Sequence, residues 1–206
     1  MRLGSWLPAA RFSVFIRAVT ESQALQIFRD SGALLEGHFI LRSGLRSRQF
    51  FQCALALQHM PTVEKIGAAL ADQLRPLGAT TVIAPAMGGL VIGQEVARQL
   101  GVRFIFVEKE EGKLVLRRGF KIAPGEKILV IEDVVTKGGR LQETMDIVRA
   151  HGGHVLAAGM VVDRSSGTVD LGLPLVSVLK LNVETFDPNQ LPPDLAALPP
   201  MKPGSK

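Results

Sequence analysis

Apolar positions along the chain follow two alternating rhythms. Thr20-Glu21-Ser22-Gln23 carries the capping pattern of a helix whose apolar face is Ala24, Leu25, Ile27 and Phe28, and which stops at Gly32. From Gly37 to Gly44, Phe39 and Leu41 alternate with His38, Ile40 and Arg42, which predicts a short strand and a turn. Between Pro61 and Leu77, Val63, Ile66, Ala69, Leu70 and Leu74 recur at helical spacing. Thr80 to Pro85 predicts a short strand, Gly88-Gly89 a loop into a helix that ends at Leu100-Gly101, and Val102 to Val107 another strand. Lys113 to Ile122 reads as a hairpin or mobile excursion. Ile128-Leu129-Val130-Ile131 is continuously apolar and predicts a buried strand over 126–131. A helix over Gly139–Ala150 and strands over His154–Val162 and Pro174–Leu181 complete the ordered pattern. After Asp187 the chain is Pro-rich and reads as a loose tail.

Strands alternating with helices, several of them uniformly apolar, predict an α/β fold: a doubly wound, mostly parallel sheet with helices on both faces. The length of 206 residues suits one domain with a full core. A single cysteine makes no internal disulfide and no thiolate metal cluster, which fits a reducing, cytoplasmic setting. Cys53 lies in an apolar run and reads as a small buried side chain.

The net charge of +5 invites a nucleic-acid reading until it is located. Arg2, Arg11 and Arg17 supply three of the five charges, and Lys202 and Lys206 against Asp194 supply a fourth. The body over 21–191 is therefore close to neutral, a poor polyelectrolyte binder, and no nucleic-acid partner is expected. No stretch reaches the roughly 20 apolar residues of a membrane helix, and no membrane partner is expected. Arg11 and Arg17 interrupt any signal-like apolar run, so residues 1–19 read as a disordered extension or as the product of a start site placed too early.

The segment Ile128-Leu129-Val130-Ile131-Glu132-Asp133-Val134-Val135-Thr136-Lys137-Gly138-Gly139-Arg140 carries the chemistry. A buried strand ending in two acids, then a Thr/Gly turn opening a helix, lies at the carboxyl edge of a doubly wound sheet, where ligands bind. Free amides of the turn and the helix N-terminus favour a phosphate. The two acids cannot bind phosphate; they suit ribose hydroxyls or a Mg²⁺ ion beside a polyphosphate. Together these point to a phosphorylated sugar, with a solvated acid pair on an ordinary turn as the plain alternative. Neither G-x-x-x-x-G-K-[ST] nor G-x-G-x-x-G occurs.

That segment resembles the phosphoribosyl pyrophosphate (PRPP) signature of type I phosphoribosyltransferases. Gly37-His38-Phe39-Ile40-Leu41-Arg42-Ser43-Gly44 with Phe50-Phe51, and Met160-Val161-Val162-Asp163-Arg164, narrow the resemblance to the orotate phosphoribosyltransferase family, in the right order over about 21–187. The resemblance implies transfer of the 5-phosphoribosyl group from PRPP to N1 of orotate, with Mg²⁺ carried mainly by PRPP or pyrophosphate rather than by a fixed protein site. It implies a phosphoribosyltransferase domain over 20–187 with a small N-terminal hood from about 20–60, and a Pro-rich tail over 188–206.

By the same resemblance Glu132 and Asp133 hold the ribose hydroxyls, and Val134, Val135, Thr136, Lys137, Gly138, Gly139 and Arg140 belong to the PRPP site, the turn from Thr136 wrapping the 5′-phosphate. Pro85 to Gly89, with Gly88, forms a pyrophosphate loop; some relatives carry Lys where Gly88 stands. Lys109 and Lys113 in the 107–121 segment meet pyrophosphate, with Lys109 and Asp133 as catalytic residues. That segment reaches into the partner site of a homodimer; it departs from enterobacterial-type members at Glu108, where they carry a basic residue, and in lacking their loop His. Orotate is implied to contact Thr136, Arg164, Phe50, Phe51 and Arg42, the last standing where the family often has Lys.

Each assignment has a plainer counterpart. Arg164 could pair with Asp163 or another surface acid, Phe50-Phe51 could be core, and Arg42, Arg46 and Arg48 could form a solvated face. The 107–121 segment could be a charged surface hairpin, and Gly88-Gly89 a tight turn. Two other functions also stay open: a phosphoribosyltransferase acting on a purine or uracil, and a PRPP-sensing regulator.

Overall fold

The computed structural model describes residues 19–41 and 43–203. Residues 1–18 of the expected extension and Arg42 lie outside the described residues, while Val19 packs against the core. Thr20 starts helix α1 (Glu21–Asp30). Its hydroxyl accepts the Gln23 amide at 3.3 Å, and Gln23 Oε1 accepts the Thr20 amide at 2.9 Å. This reciprocal cap is worth about 1 kcal/mol.

The chain then forms an antiparallel hairpin, β1 (Leu34–Ile40) with β2 (Arg46–Phe51). β1 starts earlier than the alternation predicts. A register shift between Glu36 and Phe39 buries both His38 and Phe39, which strict alternation would send to opposite faces. Helix α2 (Cys53–Leu57) and helix α3 (Met60–Leu74) follow, α3 burying Val63, Ile66, Leu70 and Leu74 along one stripe.

β3 (Thr81–Pro85), α4 (Gly88–Leu100) and β4 (Arg103–Glu110) make the first βαβ unit. β4 outruns its predicted end because β5 (Lys113–Leu116) pairs back along it antiparallel, from Val107–Leu116 to Glu110–Lys113. β6 (Lys127–Val135), α5 (Gly139–Ala150) and β7 (His154–Asp163) make the second unit, and β8 (Leu175–Lys180) closes the sheet.

The strand order is β5-β4-β3-β6-β7-β8, parallel except for β5. One unit therefore winds outward from β3 and the other from β6, with α4, alongside α1 and α3, on one face and α5 on the other. Helices on both sides explain why Ile128, Leu129, Val130 and Ile131 are all fully buried. The switch in winding direction opens a crevice beyond the carboxyl ends of β3 and β6.

Two expectations need correcting. β6 does not end before the acids: it runs on through Glu132 and Asp133, and Glu132 pairs with Met160 and Val135 with Asp163, because β7 is long enough to offer partners there. Over 188–203 the segment after Asp187 is not loose. A short helix, α6 (Pro193–Ala196), buries Leu195 to 1% exposure, and Met201 pairs with the hairpin.

Candidate active site

The crevice is floored by β6. Glu132 is 2% exposed; its Oε1 accepts the Asp133 amide at 3.1 Å, and its Oε2 is buried with no hydrogen-bond partner. Burial first, and the neighbouring Asp133 carboxylate second, push its pKa up to about 9, with Arg140 giving partial relief. Asp133 Oδ1 accepts the Val134 amide at 2.8 Å. Neither acid forms an ion pair among the described residues. A buried carboxyl oxygen with no partner is costly in a finished core, and it is what a site awaiting hydroxyl donors would contain.

From β3 the chain turns directly into α4 over these acids. A Cβ on Gly88 would lie 2.6 Å from the Asp133 carboxyl group, and one on Gly89 would lie 2.9 Å from the Ile131 carbonyl and 3.3 Å from Glu132 Oε1. Gly89 is thus required by its close approach to backbone, whereas a side chain at Gly88 would need the Asp133 carboxyl group to move aside. Gly89's part was not legible, because nothing local in sequence shows that β6 passes beneath it.

Beyond Val135, Thr136, Lys137, Gly139 and Arg140 are exposed, and Gly138 is the left-handed N-cap of α5 with φ +73°. Among the described residues the amides of Thr136 to Arg140 have no protein acceptor. They form a ready anion cradle. A Cβ on Gly138 would meet Val169 Cγ1 at 2.8 Å, so the loop after β7 supports the cradle from behind. Val169 carries no local sequence signal for that role.

Arg164 follows β7, and its amide donates to the Val135 carbonyl at 2.8 Å, which sets it beside the cradle. The alternative of a pair with Asp163 is not realised: Asp163 Oδ1 accepts the Ser165 amide at 2.8 Å instead. Arg164 is half-buried, makes no ion pair among the described residues, and keeps Nε buried without a partner. Burial draws its pKa down. Cys53 lies behind the acids. Burial raises its thiol pKa well above the ordinary value, and Asp133 and Glu132 add to that, so it is an unreactive thiol.

The hairpin residues divide. The Phe51 ring is core, edge-on to Phe28 at 4.8 Å, so it cannot stack on a base; strand alternation sends Phe50 the other way, half-buried, 5.7 Å from Phe39. Arg46 donates to the Gly44 carbonyl at 2.8 Å, and Arg48 is taken up by Glu184 and Asp194.

On the β4–β5 hairpin, Glu108 binds Arg118 through two bonds of 2.9 Å and Glu110 binds Arg117 at 2.9 Å. Lys109 and Lys113 are exposed and make no ion pair among the described residues. The hairpin's arginines are neutralised and its lysines remain available.

The family model of the phosphoribosyl transferase domain matches residues 54–192. A protein of Desulforamulus reducens named orotate phosphoribosyltransferase is 46% identical over 188 residues, covering 91% of this chain and 98% of its own length. One of the same name from Rhizorhabdus wittichii is 48% identical over 193 residues, covering 91% and 97%. The crystal structure of orotate phosphoribosyltransferase from Aeropyrum pernix superposes with a TM-score of 0.66 at 26% identity, covering 76% of this chain and 92% of that one.

Proposed function

The chain belongs to the orotate phosphoribosyltransferase family, and on that premise we infer that it moves the 5-phosphoribosyl group from PRPP to N1 of orotate, giving orotidine 5′-monophosphate and pyrophosphate. The observation that carries the residue roles is the buried Glu132 and half-buried Asp133, without an ion pair among the described residues, set between a glycine turn and an amide cradle at the sheet's switch point. Glu132 and Asp133 accept hydrogen bonds from the ribose hydroxyls. The amides of Thr136 to Arg140, with the charges of Lys137 and Arg140, hold the 5′-phosphate. The turn through Gly88 approaches the pyrophosphate by backbone alone.

In the reaction N1 of orotate, its proton released to solvent, bonds to C1 as the C1–oxygen bond breaks and its electron pair leaves with pyrophosphate. Positive charge develops on the ribose and negative charge on the leaving group, so cations at pyrophosphate stabilise the transition state. Lys109, with Lys113, supplies that charge. Arg164 grips the orotate carboxylate with its planar fork, Thr136 lies beside the base, and Phe50 is the hood ring free to cover it.

Among the described residues no three His, Cys, Asp or Glu side chains converge on one point. Glu132 and Asp133 alone are too few for a protein-built cage, which fits Mg²⁺ arriving with the polyphosphate and keeping its waters. When bound, Mg²⁺ would offset charge on the leaving pyrophosphate.

A homodimer whose 107–121 hairpin serves the neighbouring site is part of this reading. It is supported by apolar side chains left exposed at the starts of two helices, Met60 on α3 and Met87 and Val91 around α4, Met87 at 79%. Among the described residues no helix is long and apolar enough to cross a membrane, and a buried free thiol suits the cytoplasm.

The direct test is an assay of orotate, uracil, xanthine and adenine, each with PRPP and Mg²⁺, following release of pyrophosphate. Turnover of orotate alone is expected; turnover of a purine without orotate would overturn the reading.

The raised Glu132 pKa gives a second expected result. The free protein holds a proton on Glu132 at neutral pH, and ribose hydroxyls favour the anion, so PRPP binding releases that proton. The heat of binding at neutral pH should therefore differ between Tris and PIPES, and Glu132→Gln should abolish the difference; buffer-independent heat in the wild type contradicts it. Stability follows the same sign. The folded pKa of about 9 lies above the ordinary 4.5, so this group's contribution is full below 4.5 and lost as pH rises through 9.

A further inference from the structure

A two-stranded hairpin is marginal alone, and each of its outer edges leaves unpaired backbone groups. In this fold both outer edges of the β1–β2 hood are taken by the C-terminal segment. At β1 the Met201 amide donates to the His38 carbonyl and the Ile40 amide to the Met201 carbonyl, both at 2.7 Å. At β2 Arg46 and Phe186 exchange both backbone hydrogen bonds at 2.9 Å. The hood is a two-stranded sheet with one isolated bridge to the end of the chain on each outer edge.

Between those two contacts lies a clasp. Arg48 Nε and Nη2 donate to the two carboxylate oxygens of Asp194 at 2.8 and 3.0 Å, Nη1 donates to Glu184 at 2.8 Å, and the guanidinium lies 4.6 Å from the centre of the Phe186 ring. Leu195, next to Asp194, is buried, and the Leu198 carbonyl lies 3.0 Å from His38 Nδ1. A cavity of about 590 Å³ remains between the hood, residues 182–184 and this segment. The edge pairings and the clasp therefore join the hood to this segment beside its packing on the core.

The same segment is tied at its other end to the turn that carries Arg164. The Leu181 amide donates to the Asp163 carbonyl at 2.8 Å, and Ser166 Oγ donates to Asn182 Oδ1 at 2.9 Å. One stretch of chain thus touches both the Arg164 turn and the hood.

We propose that residues 184–203 form a strap that sets the hood over the base, with Arg48 and Asp194 as its positioning residues. The proposal rests on the reading that the hood covers orotate. Breaking the clasp should weaken orotate recognition and spare the phosphoribosyl half of the site, which is built from β3, β6 and α5.

The test uses the full chain with Asp194→Ala and Asp194→Glu, the latter keeping a two-oxygen acceptor for Arg48. Asp194→Ala is expected to raise KM for orotate about fivefold, the scale of one well-made exposed ion pair, with kcat and KM for PRPP within about twofold. Asp194→Glu should stay near wild type, and hydrogen exchange at the Ile40 and Arg46 amides should quicken only in Asp194→Ala. An unmoved orotate KM, or an equal rise for both substrates, overturns the proposal, as does unchanged exchange at those amides. Failure of the underlying reading looks different: the wild-type protein would turn over no orotate, and the exchange measurement would still decide whether the strap holds the hood.

Discussion

Arg164→Ala is expected to lower kcat/KM for orotate by about 10²- to 10³-fold, the cost of leaving a desolvated charge without its partner. The residue suits this because its guanidinium is half-buried and makes no ion pair among the described residues, with one nitrogen entirely unpartnered. A structural arginine at that depth would have an acid beside it. The backbone should survive the change, since the bond tying residue 164 to Val135 comes from its amide.

Two readouts make the result specific. PRPP affinity should hold within about twofold, because the groups assigned to the sugar lie on β6, the turn into α5 and the Gly88 turn, apart from Arg164. The preference for orotate over uracil, which lacks the carboxylate, should collapse. Arg164→Lys should recover only part of the loss, since an ammonium cannot hold both carboxylate oxygens in one plane. An unchanged orotate-to-uracil ratio in Arg164→Ala would assign the carboxylate to another group.

Lys109→Ala is expected to cut kcat by about 10²- to 10³-fold, in line with removal of a preorganised charge from a developing anion, while PRPP affinity in the ground state changes little. Neighbouring arginines cannot substitute, because Glu108 and Glu110 already hold Arg117 and Arg118. Equal weakening of turnover and of PRPP affinity would contradict the role.

The same variant tests sharing between subunits. Dimers formed from an equal mixture of Lys109→Ala and Arg164→Ala chains would regain about a quarter of wild-type activity if the hairpin serves the neighbouring site, because half the dimers are hybrids with one intact site each. No recovery would place the hairpin in its own subunit's site.

What could be read from the sequence was local. The Thr20 cap, the α5 span and the acid-then-glycine order each depend on neighbours within a few positions, and the structure has them as expected. The misreadings came from contacts between distant segments. β6 continues through its acids because β7 pairs with it, and the Phe51 ring is core because α1 brings Phe28 against it. The Pro-rich end looked loose because its partners, the hairpin edges, lie some 150 residues away in the chain. Gly88 stood out in the sequence only through the resemblance to a pyrophosphate loop; its nearness to the Asp133 carboxyl group was not legible there.

The reversal of winding between β3 and β6 has a consequence for redesign. The groups assigned to the ribose and its 5′-phosphate come from β6 and the turn into α5, and, apart from Thr136, those assigned to the base come from the β7 turn and the hood. Recognition is therefore modular: libraries confined to the Arg164 turn and the β1–β2 hairpin can retool the chain toward a new heterocycle while the donor-handling half is inherited intact.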